Sequence, residues 1–267
     1  MRDLTIIVPL VEYKEAHDTQ IDRCYKSIVA ADADKTCSVI FIGPSSAIAK
    51  VKDLDMEGRE VLYLENNKNV ELPYQVNKAV KDVTTEFFTV LEFDDEITPN
   101  WLKHVETYVK YQDETSLFLP LIEIFNELNL QVGAVAYGNE PVWAASFSDE
   151  IGYFDTTSLK NFVNVVVSGG VFRKKDFVSV GCLKPSLQVF FWYELLLRMT
   201  HNDKKIFVIP KIGCNHYVNR EDSLTSSFRK MTPKELDFWF KTAQDEYLFK
   251  TDRKKVYNPE SETETEE

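Results

Sequence analysis

The chain has 267 residues, 44% of them hydrophobic, enough for one large core or two small ones. A formal net charge of −12 excludes general attraction to phosphate backbones or anionic lipid, and no run approaches the ~20 apolar residues of a membrane span. Cys24, Cys37, Cys182 and Cys214 are isolated, which speaks against a disulfide scaffold. With no signal-peptide core at the N-terminus, the expected location is the cytoplasm.

In chain order, Leu4 to Val8 reads as a buried strand closed by Pro9. A helix from Asp18 or Thr19 to about Ala31 presents Ile21, Tyr25, Ile28 and Val29 on one face. Ser38 to Ile42 is a second strand, closed by Gly43-Pro44-Ser45-Ser46, and a short helix follows near Ala47 to Lys52. Val61 to Leu64 is a third strand, a helix covers about Tyr74 to Lys81, and Phe87 to Leu91 is a fourth strand. Repeated strand-helix winding with fully apolar strands predicts a single α/β domain around a mostly parallel central sheet with flanking helices. After a helix from Trp101 to Tyr111, further strands are expected at Leu117 to Phe125, Val132 to Tyr137 and Asn164 to Val167. Ser168-Gly169-Gly170 interrupts the pattern and Val171-Phe172 resumes it. Leu187 to Met199 reads as an apolar helix and Ile206 to Pro210 as a last strand, and a final helix starts at Pro233 with Thr232 as its cap. The folded domain is expected over residues 1–250, and 251–267 as a charged, disordered acidic tail.

The chemistry concentrates where the fourth strand ends. Four acids fall within five residues: Glu92, Asp94, Asp95 and Glu96. In open α/β sheets ligands bind outside the carboxyl ends of the strands. Residues two apart on an extended segment point to the same side, so Glu92 and Asp94 can face one ion. Crowded carboxylates call for a positive partner, and a hard divalent cation with oxygen ligands suits them. The plain alternative is a solvated turn, with Asp95 or Thr98 capping the helix that follows.

The order of motifs resembles the nucleotide-sugar glycosyltransferases of GT-A fold, above all family two. It is carried by Ile6-Ile7-Val8-Pro9, Gln75-Val76-Asn77, Thr85-Glu86-Phe87-Phe88, Leu91-Glu92-Phe93-Asp94-Asp95 and Pro99 with Trp101-Leu102. Gly169-Gly170, Phe172-Arg173, Phe177, Gly181 and Leu196-Leu197-Arg198 continue it. The resemblance implies a Rossmann-like GT-A domain that transfers a sugar from a UDP-sugar with Mn2+ or Mg2+. It places Glu92, Asp94 and His216 at the metal. Pro9, Val11, Glu12, Gly43, Gln75, Asn77, Glu92, Phe93, Gly169, Gly170 and Arg220 fall at the nucleotide sugar, and Asp95 and Glu194 are the candidate catalytic acids. Two departures stand out. The second strand ends without the acids that contact the base in the family, and Phe191 and Trp192 occupy the Glu-Asp positions of the catalytic base. Glu194 is the nearest acid, and it can instead pair with Arg198 one turn on. Transfer then either retains configuration or draws a base from Asp149, Glu150 or Asp155.

The Leu-Glu-Phe-Asp-Asp-Glu run also resembles small bacteriophage-encoded glycosyltransferases, which implies hydroxymethylated pyrimidines of DNA as acceptor, with glucose or arabinose transferred. A cell-surface glycan is the other acceptor reading. A non-catalytic GT-A module that binds nucleotide or glycan also fits the missing base. A nucleotidyltransferase does not, because Leu10-Val11-Glu12-Tyr13 is no Gly-rich basic loop.

Overall fold

The computed structural model describes residues 3–126, 130–131, 138–218 and 230–256. The expected strand at 132–137, Arg220 and positions 257–267 lie outside the described residues.

Four strands form the first half of the sheet: β1 (Leu4–Pro9), β2 (Ser38–Gly43), β3 (Val61–Glu65) and β4 (Phe87–Val90). They pair in parallel in the order β3-β2-β1-β4, with Ile7 beside Ile40 on one flank and Val90 on the other. Parallel neighbours need crossovers, and α1 (Asp18–Ala31), α2 (Ser45–Lys52) and α3 (Leu72–Asp82) supply them. Every residue of β1 and β4 is buried, because both faces of the sheet are covered. Alternation along β1 sorts the core: Ile7 packs with Val76, Phe88 and Leu196 on one face, Ile6 and Val8 with Ile28, Ile48 and Trp101 on the other.

The second half contains β5 (Glu96–Ile97), α4 (Trp101–Tyr111), β6 (Thr115–Phe125), β7 (Tyr153–Phe154), α5 (Thr156–Asn161), β8 (Val171–Arg173) and α6 (Lys174–Ser179). It closes with α7 (Phe191–His201), β9 (Lys205–Tyr217) and α8 (Pro233–Val256). The sheet continues past β4 as β8-β6-β9-β5, with β7 also on β9. It is mixed but mostly parallel: β8 runs antiparallel to β4 and β6, while the long β6–β9 ladder is parallel. Phe88 holds the join, stacked on Phe172 at 5.2 Å and edge-on to Phe177 at 5.0 Å. No helix among the described residues is long and apolar enough to cross a membrane.

Three expectations are corrected. Residues 164–167 form no strand. The buried Asn139 side chain takes both backbone groups of Val166, accepting its N–H at 3.0 Å and donating to its carbonyl at 2.9 Å. The helix expected from Leu187 begins at Phe191, because Phe190 adopts the left-handed conformation at φ 61°. The last strand does not stop at Pro210 but runs to Tyr217. Its register against β6 jumps between Leu119–Val208 and Leu121–Ile212, and that irregularity absorbs the proline. At α8 the expected cap is present. Thr232 Oγ1 accepts the Glu235 N–H at 3.3 Å, and Glu235 Oε2 accepts the Thr232 N–H at 2.7 Å. The helix passes the expected start of the tail and reaches Val256.

Candidate active site

The chain leaves β1 toward β2 and β3 on one side and returns as β4 on the other, so the carboxyl ends of β1 and β4 flank a topological switch point. The acid loop emerges there. After Val90 the Leu91 N–H still reaches the Ile7 carbonyl at 2.9 Å. The chain then turns, with the Asp95 N–H on the Glu92 carbonyl at 2.9 Å. The buried Ser168-Gly169 turn backs the loop. Ser168 Oγ accepts the Glu92 N–H at 3.3 Å, and the Gly169 N–H donates to the Val90 carbonyl at 2.9 Å. Gly169 has φ +75°, and a Cβ there would lie 3.1 Å from Cys214 Cβ, so the position suits glycine on two counts. Its carbonyl accepts the Trp101 indole N–H at 2.8 Å. Gly170 is buried beside it, where a Cβ would meet the Val167 carbonyl oxygen at 2.8 Å. The two glycines expected at the nucleotide sugar thus form the floor beneath the acids.

Asp95 has no exposed surface. Its Oδ1 and Oδ2 lie 3.0 and 2.9 Å from His216 Nδ1, and Oδ1 also accepts the Tyr217 N–H at 3.1 Å. Burial alone would lower the pKa of His216. The charge and hydrogen bond of Asp95, with the charges of Glu92 and Asp94, outweigh burial and raise it to about 9. Glu96 is held by Arg23 Nε at 2.8 Å, Asn215 Nδ2 at 3.2 Å and the Tyr217 hydroxyl at 3.2 Å. Burial pushes that hydroxyl up to about 12, Arg23 opposing and Glu96 adding, so it stays a donor. The Arg23 guanidinium lies 3.4 Å above the Tyr217 ring, and its Nη2 donates to the Asp94 carbonyl at 3.0 Å. Asp94 is 5% exposed and Glu92 half-buried. Burial raises the Cys24 and Cys214 thiols well above their ordinary range, so both stay protonated beside the loop. Among the described residues no three His, Cys, Asp or Glu side chains form a ready-made metal cage.

The residues expected at the nucleotide cluster at the ends of β1 and β2. The Leu10 N–H reaches the Ile42 carbonyl at 2.7 Å, just beyond Pro9. Gly43 permits this approach, since a Cβ there would lie 2.7 Å from Leu10 Cβ. Val11 is exposed, and Glu12 accepts the Ser46 hydroxyl at 2.7 Å. Gln75, 1% exposed, donates from Nε2 to the carbonyls of Leu10 at 2.9 Å and Val70 at 2.5 Å. Asn77 instead staples α3 to the loop before α7, with Nδ2 on the Leu183 carbonyl at 2.8 Å and Oδ1 on the Leu183 N–H at 3.0 Å. Phe93 is buried against the His17 ring at 5.2 Å.

On α7, Glu194 is 1% exposed and forms a two-point pair with Arg198, at 2.9 Å to Nε and 2.8 Å to Nη2. Lys184 Nζ lies 2.9 Å from its Oε1. Arg198 also donates to the carbonyls of Val180 and Cys182. Trp192 stacks on Phe172 at 5.9 Å, and Phe191 is buried. Asp155 caps α5, accepting the Ser158 N–H at 2.6 Å, while Asp149 and Glu150 are exposed. Sequence reasoning missed Arg23, Asn215 and Tyr217. Its one usable signal was a cation beside the apolar stripe of α1, next to the buried Cys24.

Residues 5–160 match the sequence profile described as glycosyl transferase family 2. No curated protein sequence matches the chain. Among solved structures, S. aureus TarS 1-349 in complex with UDP-GlcNAc aligns with a TM-score of 0.66 at 14% identity, over 90% of this chain and 65% of that one. TarS 1-349 in complex with UDP gives 0.62 at 14% identity, over 82% and 62%. A further S. aureus TarS structure gives 0.59 at 16% identity, over 82% and 37%. The chain thus spans less than two thirds of the TarS chains it resembles, and at these identities the likeness is one of fold. With the profile covering more than half of its length, the chain belongs to glycosyl transferase family 2.

Proposed function

We propose that this protein is a glycosyltransferase that takes its sugar from a UDP-sugar bound across the carboxyl ends of β1, β2 and β4. The observation that carries the reading is the acid loop at the switch point, with Asp94 buried and Asp95 committed to His216. The family match supports sugar transfer, and the UDP and UDP-GlcNAc bound to TarS support the donor class.

The donor set fits a divalent cation. Carboxylate oxygens at Glu92 and Asp94 suit Mn2+ or Mg2+. Such ions take one or two carboxylates plus substrate phosphate oxygens rather than an all-protein cage. His216 shows the arrangement of a histidine whose ring a carboxylate orients, Asp95 holding Nδ1. Glu92 and Asp94 would hold the ion, with His216 joining them once the cation displaces its imidazolium proton, and the ion when bound would neutralise charge on the leaving diphosphate. The chain's own residues do the rest. Ser168 and Gly169 fix the loop against β8, Asp95 orients the imidazole, and the Pro9–Glu12 segment, Gly43 and Gln75 shape the nucleotide side. Arg220, outside the described residues, is a further diphosphate candidate. Glu194, held by Arg198 and Lys184, serves architecture in this reading, and Asp155 is taken by its cap. Retention of configuration is then the outcome that demands no base from α7. For the acceptor, a net charge of −12 favours a glycan over DNA, and the comparisons lend modified DNA no support.

Calorimetry of UDP with and without Mn2+ or Mg2+, and UDP release from a panel of UDP-sugars, test the proposal. Metal should strengthen UDP binding at least about tenfold, and one UDP-sugar should turn over. A protein that binds neither UDP nor any UDP-sugar would be a module without transfer activity.

A further inference from the structure

Arg23 belongs to α1, yet all its contacts described above fall on the acid loop and on the end of β9. A guanidinium is planar, and this one uses face and edges together. The face stacks on Tyr217 at 3.4 Å, Nε meets Glu96 Oε1 at 2.8 Å and Nη2 meets the Asp94 carbonyl at 3.0 Å. One turn along the same helix, Ser27 Oγ accepts the Ile97 N–H at 3.2 Å. Helix α1 therefore grips the chain at 94, 96 and 97. An exposed surface pair would be worth little. Arg23 and Glu96 are only 23% and 19% exposed, and the pair is tied to a backbone carbonyl and to a ring.

We propose that Arg23 is the positioning residue of the acid loop. Its hold on the Asp94 peptide and on the Glu96–Tyr217 pair makes the Asp94 carboxylate and the Asp95–His216 pair one preorganised unit. The same cation compensates the charge of Glu96, which would otherwise add to the repulsion within the loop. A lysine is a compact point charge that cannot stack and reach both oxygens at once. The functional consequence rests on the donor-site reading above, but the positioning does not.

Hydrogen exchange on the metal-free protein tests the positioning. In Arg23→Gln the amides of Asp95, Ile97 and Tyr217 should exchange at least about tenfold faster while β1 and β3 keep their protection, with Arg23→Lys between. Unchanged exchange at those three amides, or acceleration spread evenly over β1 to β4, would overturn the proposal. A double-mutant cycle on Mn2+-dependent UDP affinity tests the consequence. Arg23→Gln should cost about tenfold in the wild-type background and nothing more in Asp94→Asn. Equal losses in both backgrounds would show that Arg23 does not act through Asp94. A wild type without any metal-dependent gain would refute the metal reading alone and leave the exchange result to decide on Arg23.

Discussion

Two groups of buried charge in this protein are built in opposite ways. On α7 a single carboxylate, Glu194, meets a guanidinium and an ammonium, and Arg198 spends further N–H groups on the Val180 and Cys182 carbonyls. At the end of β4, Glu92, Asp94, Asp95 and Glu96 face Arg23 and His216. The α7 group satisfies itself and ties the loop before the helix to the helix. The β4 group crowds four carboxylates where the sheet opens, and Asp95, Glu92 and Asp94 among them raise the pKa of the histidine beside them. A compensated buried charge is architecture. Carboxylates crowded at a switch point suit a positive ligand from outside.

The largest effect should come from breaking the compensated group. Glu194→Ala leaves Arg198 buried without its partner and should cost roughly 3–5 kcal/mol in thermal or denaturant unfolding. Glu194→Gln, which keeps an acceptor, should cost less. A loss under about 1 kcal/mol in Glu194→Ala would erase the contrast between the two groups.

Next comes pH. His216 is raised from 6.5 to about 9, so the native state holds this proton more tightly than the unfolded chain. The stabilisation is complete below about pH 6.5 and is lost as pH climbs through about 9, by up to roughly 3 kcal/mol. Urea unfolding at pH 6 and pH 9.5 measures it. Asp95→Asn should flatten the slope, because it removes the carboxylate that does most to raise the imidazole. A slope that survives in Asp95→Asn would place its origin in another group.

Asp94→Asn keeps the side chain's shape and removes one charge. It should reduce metal-dependent UDP affinity about ten- to hundredfold with little change in melting temperature. Unchanged affinity by calorimetry would move the cation away from this loop and end the functional side of the comparison. The smallest effect is a neutral control in neither group. Thr232→Ala removes the cap of α8 and should cost about 1 kcal/mol without altering UDP binding.

Much of this was legible in the chain. The strands β1, β2 and β4 were readable because a strand buried on both faces is an apolar run whatever surrounds it, and the edge strand β3 because Val61 to Leu64 keeps an apolar strand composition. The cap at Thr232 and the boundaries of α4 were readable because the interactions that set them are local. The acid loop stood out because four carboxylates directly after an apolar run are costly without a purpose. Glu194 and Arg198 were paired from their spacing of one helical turn.

Tertiary structure decided the rest, for one physical reason: contacts between residues far apart in sequence leave no local period. Pro210 looked like the end of the last strand, but a register shift against β6 carries β9 past it and delivers Asn215, His216 and Tyr217 to the loop. Residues 164–167 have strand composition, but Asn139 takes the backbone bonds of Val166 that a strand would need. Whether Asp95 was a free acid or the partner of His216, and whether Arg23 was a surface cation or the grip on Asp94, depended on which elements lay opposite. Composition and periodicity determined that a buried parallel sheet ends in an acid loop; the packing of α1 and β9 against that loop determined what each acid touches.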